Sequence, residues 1–123
     1  MPQIPFLVIL EAELAASGVA TLMYQISNQE NLDIVGWRQQ STGVFDVRAI
    51  RTSDGQHYTQ ASATVGIPSE FIPDVADGYN GIDQFPIPLH VGNGQTIYIE
   101  IADTSVAPNT VTLVLVCRRT VGA

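Results

Sequence analysis

The chain has 123 residues, 46% hydrophobic and 14% charged, which is enough for one core and too few for two domains of ordinary size. Twelve acidic residues stand against five arginines and no lysine, a formal net charge of −7; this argues against a phosphate-binding surface and removes lysine-dependent Schiff-base and P-loop chemistry. The single cysteine, Cys117, cannot close an internal disulfide, so burial and backbone hydrogen bonds must hold the fold.

The first segment reads two ways. Leu10-Glu11-Ala12-Glu13-Leu14-Ala15-Ala16 consists of good helix formers that would stop at Gly18. Phe6, Val8, Leu10, Ala12 and Leu14 also alternate with Glu11 and Glu13 on the wet side, the pattern of a half-buried strand, and the strand is preferred. The apolar run before Glu11 is too short to span a membrane and lacks the basic flank of a secretory signal. Residues 1 to 20 are therefore expected as a first strand or as an arm.

Strands are expected next over 21 to 26 and 32 to 39. In Phe45-Asp46-Val47-Arg48-Ala49 the alternation places Phe45, Val47 and Ala49 inward, with Asp46 and Arg48 outward. A further strand is expected over 58 to 65. Residues 66 to 88 contain four prolines, too irregular for a strand and long for a structureless loop. Strand character returns at 87 to 91 and is clearest in Thr96-Ile97-Tyr98-Ile99-Glu100-Ile101-Ala102, whose three isoleucines share one face. From 110 to 118, Val111, Leu113, Leu115 and Cys117 fall on one face, yet Val114 and Val116 make the other apolar too. Such a strand is covered on both sides or meets a partner.

Ser17-Gly18, Thr42-Gly43, Asp54-Gly55 and Asn93-Gly94 punctuate these runs and are expected to supply the positive φ values of hairpin turns. About eight short strands in one domain, residues 1–123, fit an all-β fold. The expected architecture is an antiparallel, jelly-roll-like β-sandwich.

Four sequence words occur in a fixed order: Ser41-Thr42-Gly43-Val44-Phe45-Asp46-Val47-Arg48, Phe85-Pro86-Ile87-Pro88-Leu89-His90-Val91, Gly94-Gln95-Thr96-Ile97, and Asp103-Thr104-Ser105 leading to Asn109-Thr110-Val111-Thr112-Leu113-Val114-Leu115. In this order they resemble a family of small virion proteins of tailed bacteriophages, from about residue 20 to 118. Cys117 departs from that pattern, where a small residue, often glycine, precedes the terminal basic residue. The resemblance implies a β-sandwich subunit that cements or decorates the capsid. Its partners would be the major capsid protein or other virion proteins, in a particle assembled in the host cytoplasm. It implies neither enzymatic activity nor a cofactor, and no direct contact with nucleic acid or membrane. The alternative is a tail, neck or fibre-tip accessory protein that binds a host receptor or carbohydrate.

Individual residues sharpen these expectations. An interface is expected at Trp37, Val114, Val116, Arg118 and Arg119, and the apolar second face of the last strand favours a homo-oligomer. Trp37 also suits a core position or a stacking platform for sugar, and Tyr58, Tyr79 and Tyr98 would suit a carbohydrate surface if clustered. Asp74, Asp77, Asn80 and Asp83 offer oxygen ligands near flexible glycines, a candidate calcium site set against an ordinary solvated acidic loop. Cys117 with His57 or His90 would make a nucleophilic pair only if the fold brought them together; a buried thiol is the expectation. No Gly-x-Ser-x-Gly, His-Glu-x-x-His or phosphate-cradling glycine motif occurs.

Overall fold

A computed structural model describes residues 3–59, 66–75, 85 and 87–121. Eight strands form: β1 (Gln3–Leu14), β2 (Val19–Gln25), β3 (Glu30–Ser41), β4 (Phe45–Thr52), β5 (Ile67–Pro68), β6 (Leu89–Val91), β7 (Thr96–Asp103) and β8 (Asn109–Val121). They build two four-stranded sheets, β1-β8-β3-β6 and β2-β7-β4-β5. All ladders within them are antiparallel.

The order follows from one long rolled hairpin. Its two halves pair β1 with β8, β2 with β7, β3 with β6 and β4 with β5. Rolling then sets β8 against β3 and β7 against β4, which gives the two facing sheets of a jelly roll.

Alternation explains the core. Ile97, Ile99 and Ile101 are essentially without exposed surface, and share one core cluster with Phe45 and Val47 of neighbouring β4 and with Leu113 and Leu115 of the facing sheet. At about 25 cal/mol per Å² of apolar surface withdrawn from water, such side chains each contribute roughly 1.5–3 kcal/mol.

The first segment is a strand, not a helix or a loose arm. β1 pairs with β8 residue by residue from Gln3↔Thr120 to Leu14↔Asn109. Its inward residues Val8, Leu10 and Leu14 lie in the core. Tertiary pairing has overridden the helix propensity of residues 10 to 16.

Several local expectations are corrected. A register shift between Val47 and Ala49 makes Arg48 the extra residue of a bulge, so the phase of β4 changes there. Ala49 consequently lies opposite Glu100, while Ile50 and Thr52 take the buried positions. Tyr58 and Thr59 are not in a strand, and the rest of the strand expected up to residue 65 falls outside the described residues. Within the proline-rich stretch, β5 pairs with β4 and is followed by a 3-10 turn, Ser69–Phe71. Of the four turn pairs, Gly55 (φ 89°) and Gly94 (φ 68°) carry positive φ; at Ser17-Gly18 the left-handed residue is Ser17. Gly43 serves close approach instead, because a Cβ there would stand 2.8 Å from Ser105 Oγ.

Candidate functional site

The in-register pairing of β1 with β8 sorts their side chains. Phe6, Val8 and Leu10 face inward with Cys117, Leu115 and Leu113, so Leu7 and Ile9 face outward with their partners Val116 and Val114. Leu7 and Ile9 are 58% and 67% exposed, while Val116, flanked by Leu7, retains only 7%. On the other side of β8, Gly36 lies beside Val116 and Arg38 beside Val114. Gly36 adds no side chain to cover the row. Exposed Glu11 and Glu13 continue β1 at one end, and Arg118 lies at the other, between Pro5 and Asp33. The result is an apolar strip with an acidic end and a basic corner. Only Leu7 and Ile9 of this strip are exposed, with Val114 half-buried and Val116 buried beside them; two adjacent exposed apolar residues so backed form a candidate contact surface.

Three of the five residues expected at an interface share this face: Val114, Val116 and Arg118. The other two do not. Trp37 is 7% exposed, pairs with Leu115 and meets the Phe85 ring edge-on at 5.7 Å. It is a core residue, because the bulge between Ile34 and Gly36 sets its phase inward. That burial also removes it as a platform for sugar. Arg119 follows the inward phase of β8 and closes one end of the sandwich. Its guanidinium lies 4.6 Å over the Phe6 ring and 3.7 Å from Glu30, beside an open recess of about 500 Å³ lined by Tyr24, Ser27, Asn28 and Glu30.

Leu7 and Ile9 were not among the expected interface residues. Their signal was present, since they share the phase of Glu11 and Glu13 and are therefore apolar residues at wet positions.

The opposite end of the sandwich is a polar knot. Buried Asp103 accepts hydrogen bonds from the Ser105 hydroxyl (2.6 Å), the Ser17 amide (2.8 Å) and the Asn109 side-chain amide (3.2 Å). The Ser105 hydroxyl foremost, with these other donors and against the cost of desolvation, holds the carboxyl down at about 2. Asn109 in turn accepts from the Gly43 amide and donates to the Val44 carbonyl. Two of the ordered sequence words, the one starting at Ser41 and the one starting at Asp103, thus meet in one stitch between turns.

The remaining candidates separate. Cys117 faces the core, and burial pushes its thiol up to about 12. His90 lies on the opposite face of the same sheet, where its Nδ1 is 2.8 Å from Asp33. His57 is exposed and bridges to Arg51 at the end of the second sheet. The fold therefore makes no Cys117–His90 pair. Tyr58 packs against the core and donates to the His90 carbonyl, whereas Tyr98 lies on the outer face of the second sheet with Arg51 4.4 Å above its ring. The two tyrosines do not form one platform, and Tyr79 lies outside the described residues. Of the calcium candidates, Asp74 is exposed beside its bridge to Gln39; Asp77, Asn80 and Asp83 lie outside the described residues. Among the described residues, no three metal-ligating side chains converge. Comparison of the chain with protein families, with curated proteins and with solved structures finds no match.

Proposed function

We propose that this chain is a structural subunit of a bacteriophage particle, a cement or decoration protein that adheres to other virion proteins through the outer face of the β1-β8-β3-β6 sheet. The observation that carries this reading is the exposed pair Leu7 and Ile9, backed by Val114 and Val116, on the outer face of the jelly roll. The resemblance of the four sequence words to small phage virion proteins supplies the context.

Adhesion of this kind needs no chemistry. Withdrawing the exposed part of Leu7 and Ile9 from water contributes roughly 1–2 kcal/mol each, reduced by the ordering cost of association. A single contact is then weak, and a symmetric shell multiplies it because neighbouring sites are held at high effective concentration. The net charge of −7 keeps the free subunit soluble and complements a basic surface on the partner.

The test is to mix the purified chain with particles assembled without it and measure co-sedimentation. The proposal expects saturable binding that weakens as salt rises and stabilises the particles against heat. Absence of binding at low salt would reject it, and binding indifferent to salt would reject its electrostatic part.

A further inference from the structure

We infer that two copies of this chain pair through their β1 strands, joining two four-stranded sheets into one eight-stranded sheet about a two-fold axis at Val8. This pairing is a property of the isolated chain in solution and does not depend on the virion reading.

The edge itself is the first argument. β1 is the outermost strand of its sheet, extends over Gln3–Leu14, and pairs only through the side facing β8 among the described residues. An edge this long presents a row of backbone donors and acceptors suited to another strand. Pro5 is the one residue of β1 without an amide N–H, so the rest of the edge keeps its capacity to donate.

Register is the second argument, and it identifies the occupant. An antiparallel two-fold pairing centred on Val8 matches residue i with residue 16 − i of the other copy, so each residue from 3 to 13 finds a partner. Leu7 then lies opposite Ile9 of the second copy, and Ile9 opposite its Leu7. The outer face gains a continuous row in which Val116, Leu7, Ile9 and Val114 follow one another across the junction, repeated in reverse by symmetry. Phe6 falls opposite Leu10 on the inner face, where both already contact the core.

Charge follows the same register. Glu11 of each copy comes opposite Pro5 of the other, and the next residue across from Pro5 is Arg118. The compact proline leaves the long guanidinium within reach of the incoming carboxylate, and its five donors serve that carboxylate together with groups on its own chain. Shifting the axis by one residue to Ile9 would set Leu7 against Glu11 and lose the apolar match, although Glu13 would then take the place opposite Pro5. Of the two registers, only the Val8 axis keeps both matches.

Sedimentation velocity and multi-angle scattering on the full chain test the pairing. The wild-type protein should have twice the monomer mass, and Leu7→Glu should halve it while leaving the circular-dichroism spectrum unchanged, since Leu7 is exposed in the single chain; the melting midpoint of the variant should lose the dependence on protein concentration that a dimer imposes. Register is tested by oxidising a mixture of Leu7→Cys and Ile9→Cys chains. Covalent dimers should form between the two variants well above the yield from either alone, with native Cys117 remaining buried and unreactive. A monomer at the highest soluble concentration, a dimer that survives Leu7→Glu, or mixed cross-linking no higher than self-cross-linking would overturn the inference. A monomer whose β1 edge becomes protected only when another protein is added would assign the edge to that protein instead.

Discussion

The two outer faces of this sandwich are made by the same alternation and end in opposite condition. On the β2-β7-β4-β5 sheet the outward row mixes Thr21, Met23 and Gln25 with Glu100 and Tyr98, and Arg51 stacks over Tyr98. Exposed Met23 and Val19 are separated there by polar neighbours. On the β1-β8-β3-β6 sheet, Leu7, Ile9, Val114 and Val116 are contiguous. One face interrupts its exposed apolar residues with polar groups; the other sets exposed Leu7 and Ile9 side by side against Val116 and Val114. The difference makes the outer face of the β1-β8-β3-β6 sheet the one on which the proposed adhesion would act.

That contrast requires a common core rigid enough to keep the two faces distinct. Ile99→Ala should remove about 2–5 kcal/mol of stability, read as a fall in the denaturant midpoint, and both faces should suffer together. Next in size is the polar knot. Asn109→Ala leaves the Gly43 amide and the Val44 carbonyl without their side-chain partner, and at about 1 kcal/mol for each lost hydrogen bond it should cost about 2–3 kcal/mol in the same measurement.

Acid should weaken the knot in a defined direction. The Asp103 carboxyl is held down to about 2 in the folded chain, so its contribution is fully present above the ordinary carboxylate range near 3.8. It is lost as pH falls from there through 2. Melting midpoints measured across that window should drop less steeply for Asp103→Asn than for the wild type; parallel curves would remove Asp103 as the cause. The smallest effect on stability is expected at the faces themselves. Within the single chain, Ile9→Lys and Met23→Lys should each change stability by about 0.5 kcal/mol or less, yet only Ile9→Lys should abolish association.

The architecture was legible wherever alternation ran unbroken. The three isoleucines of β7 fixed their own inward face, and Phe6 through Leu14 carried enough period-two signal to outweigh helix-forming side chains. Bulges were not legible, because an extra residue at Arg48 or between Ile34 and Gly36 leaves no mark in composition and yet inverts everything after it. Ala49 was assigned inward for this reason, and no phase could choose between the core and interface positions that Trp37 suits. The short β5 within a proline-rich stretch was hidden because two residues have no period.

The functional face was half legible. Val114 and Val116 announced it by being apolar out of phase. Leu7 and Ile9 carry the same information, but it becomes evident only once the pairing of β1 with β8 sets all four side by side. Strand order is set by contacts across the whole chain, which no local pattern encodes.

The most direct measurement compares Ile9→Lys with Met23→Lys in co-sedimentation with particles assembled without the subunit. The account predicts that Met23→Lys binds like the wild type and that Ile9→Lys remains in the supernatant with its fold intact. Retained binding by Ile9→Lys, or loss confined to Met23→Lys, would place the adhesive face on the other sheet and contradict it.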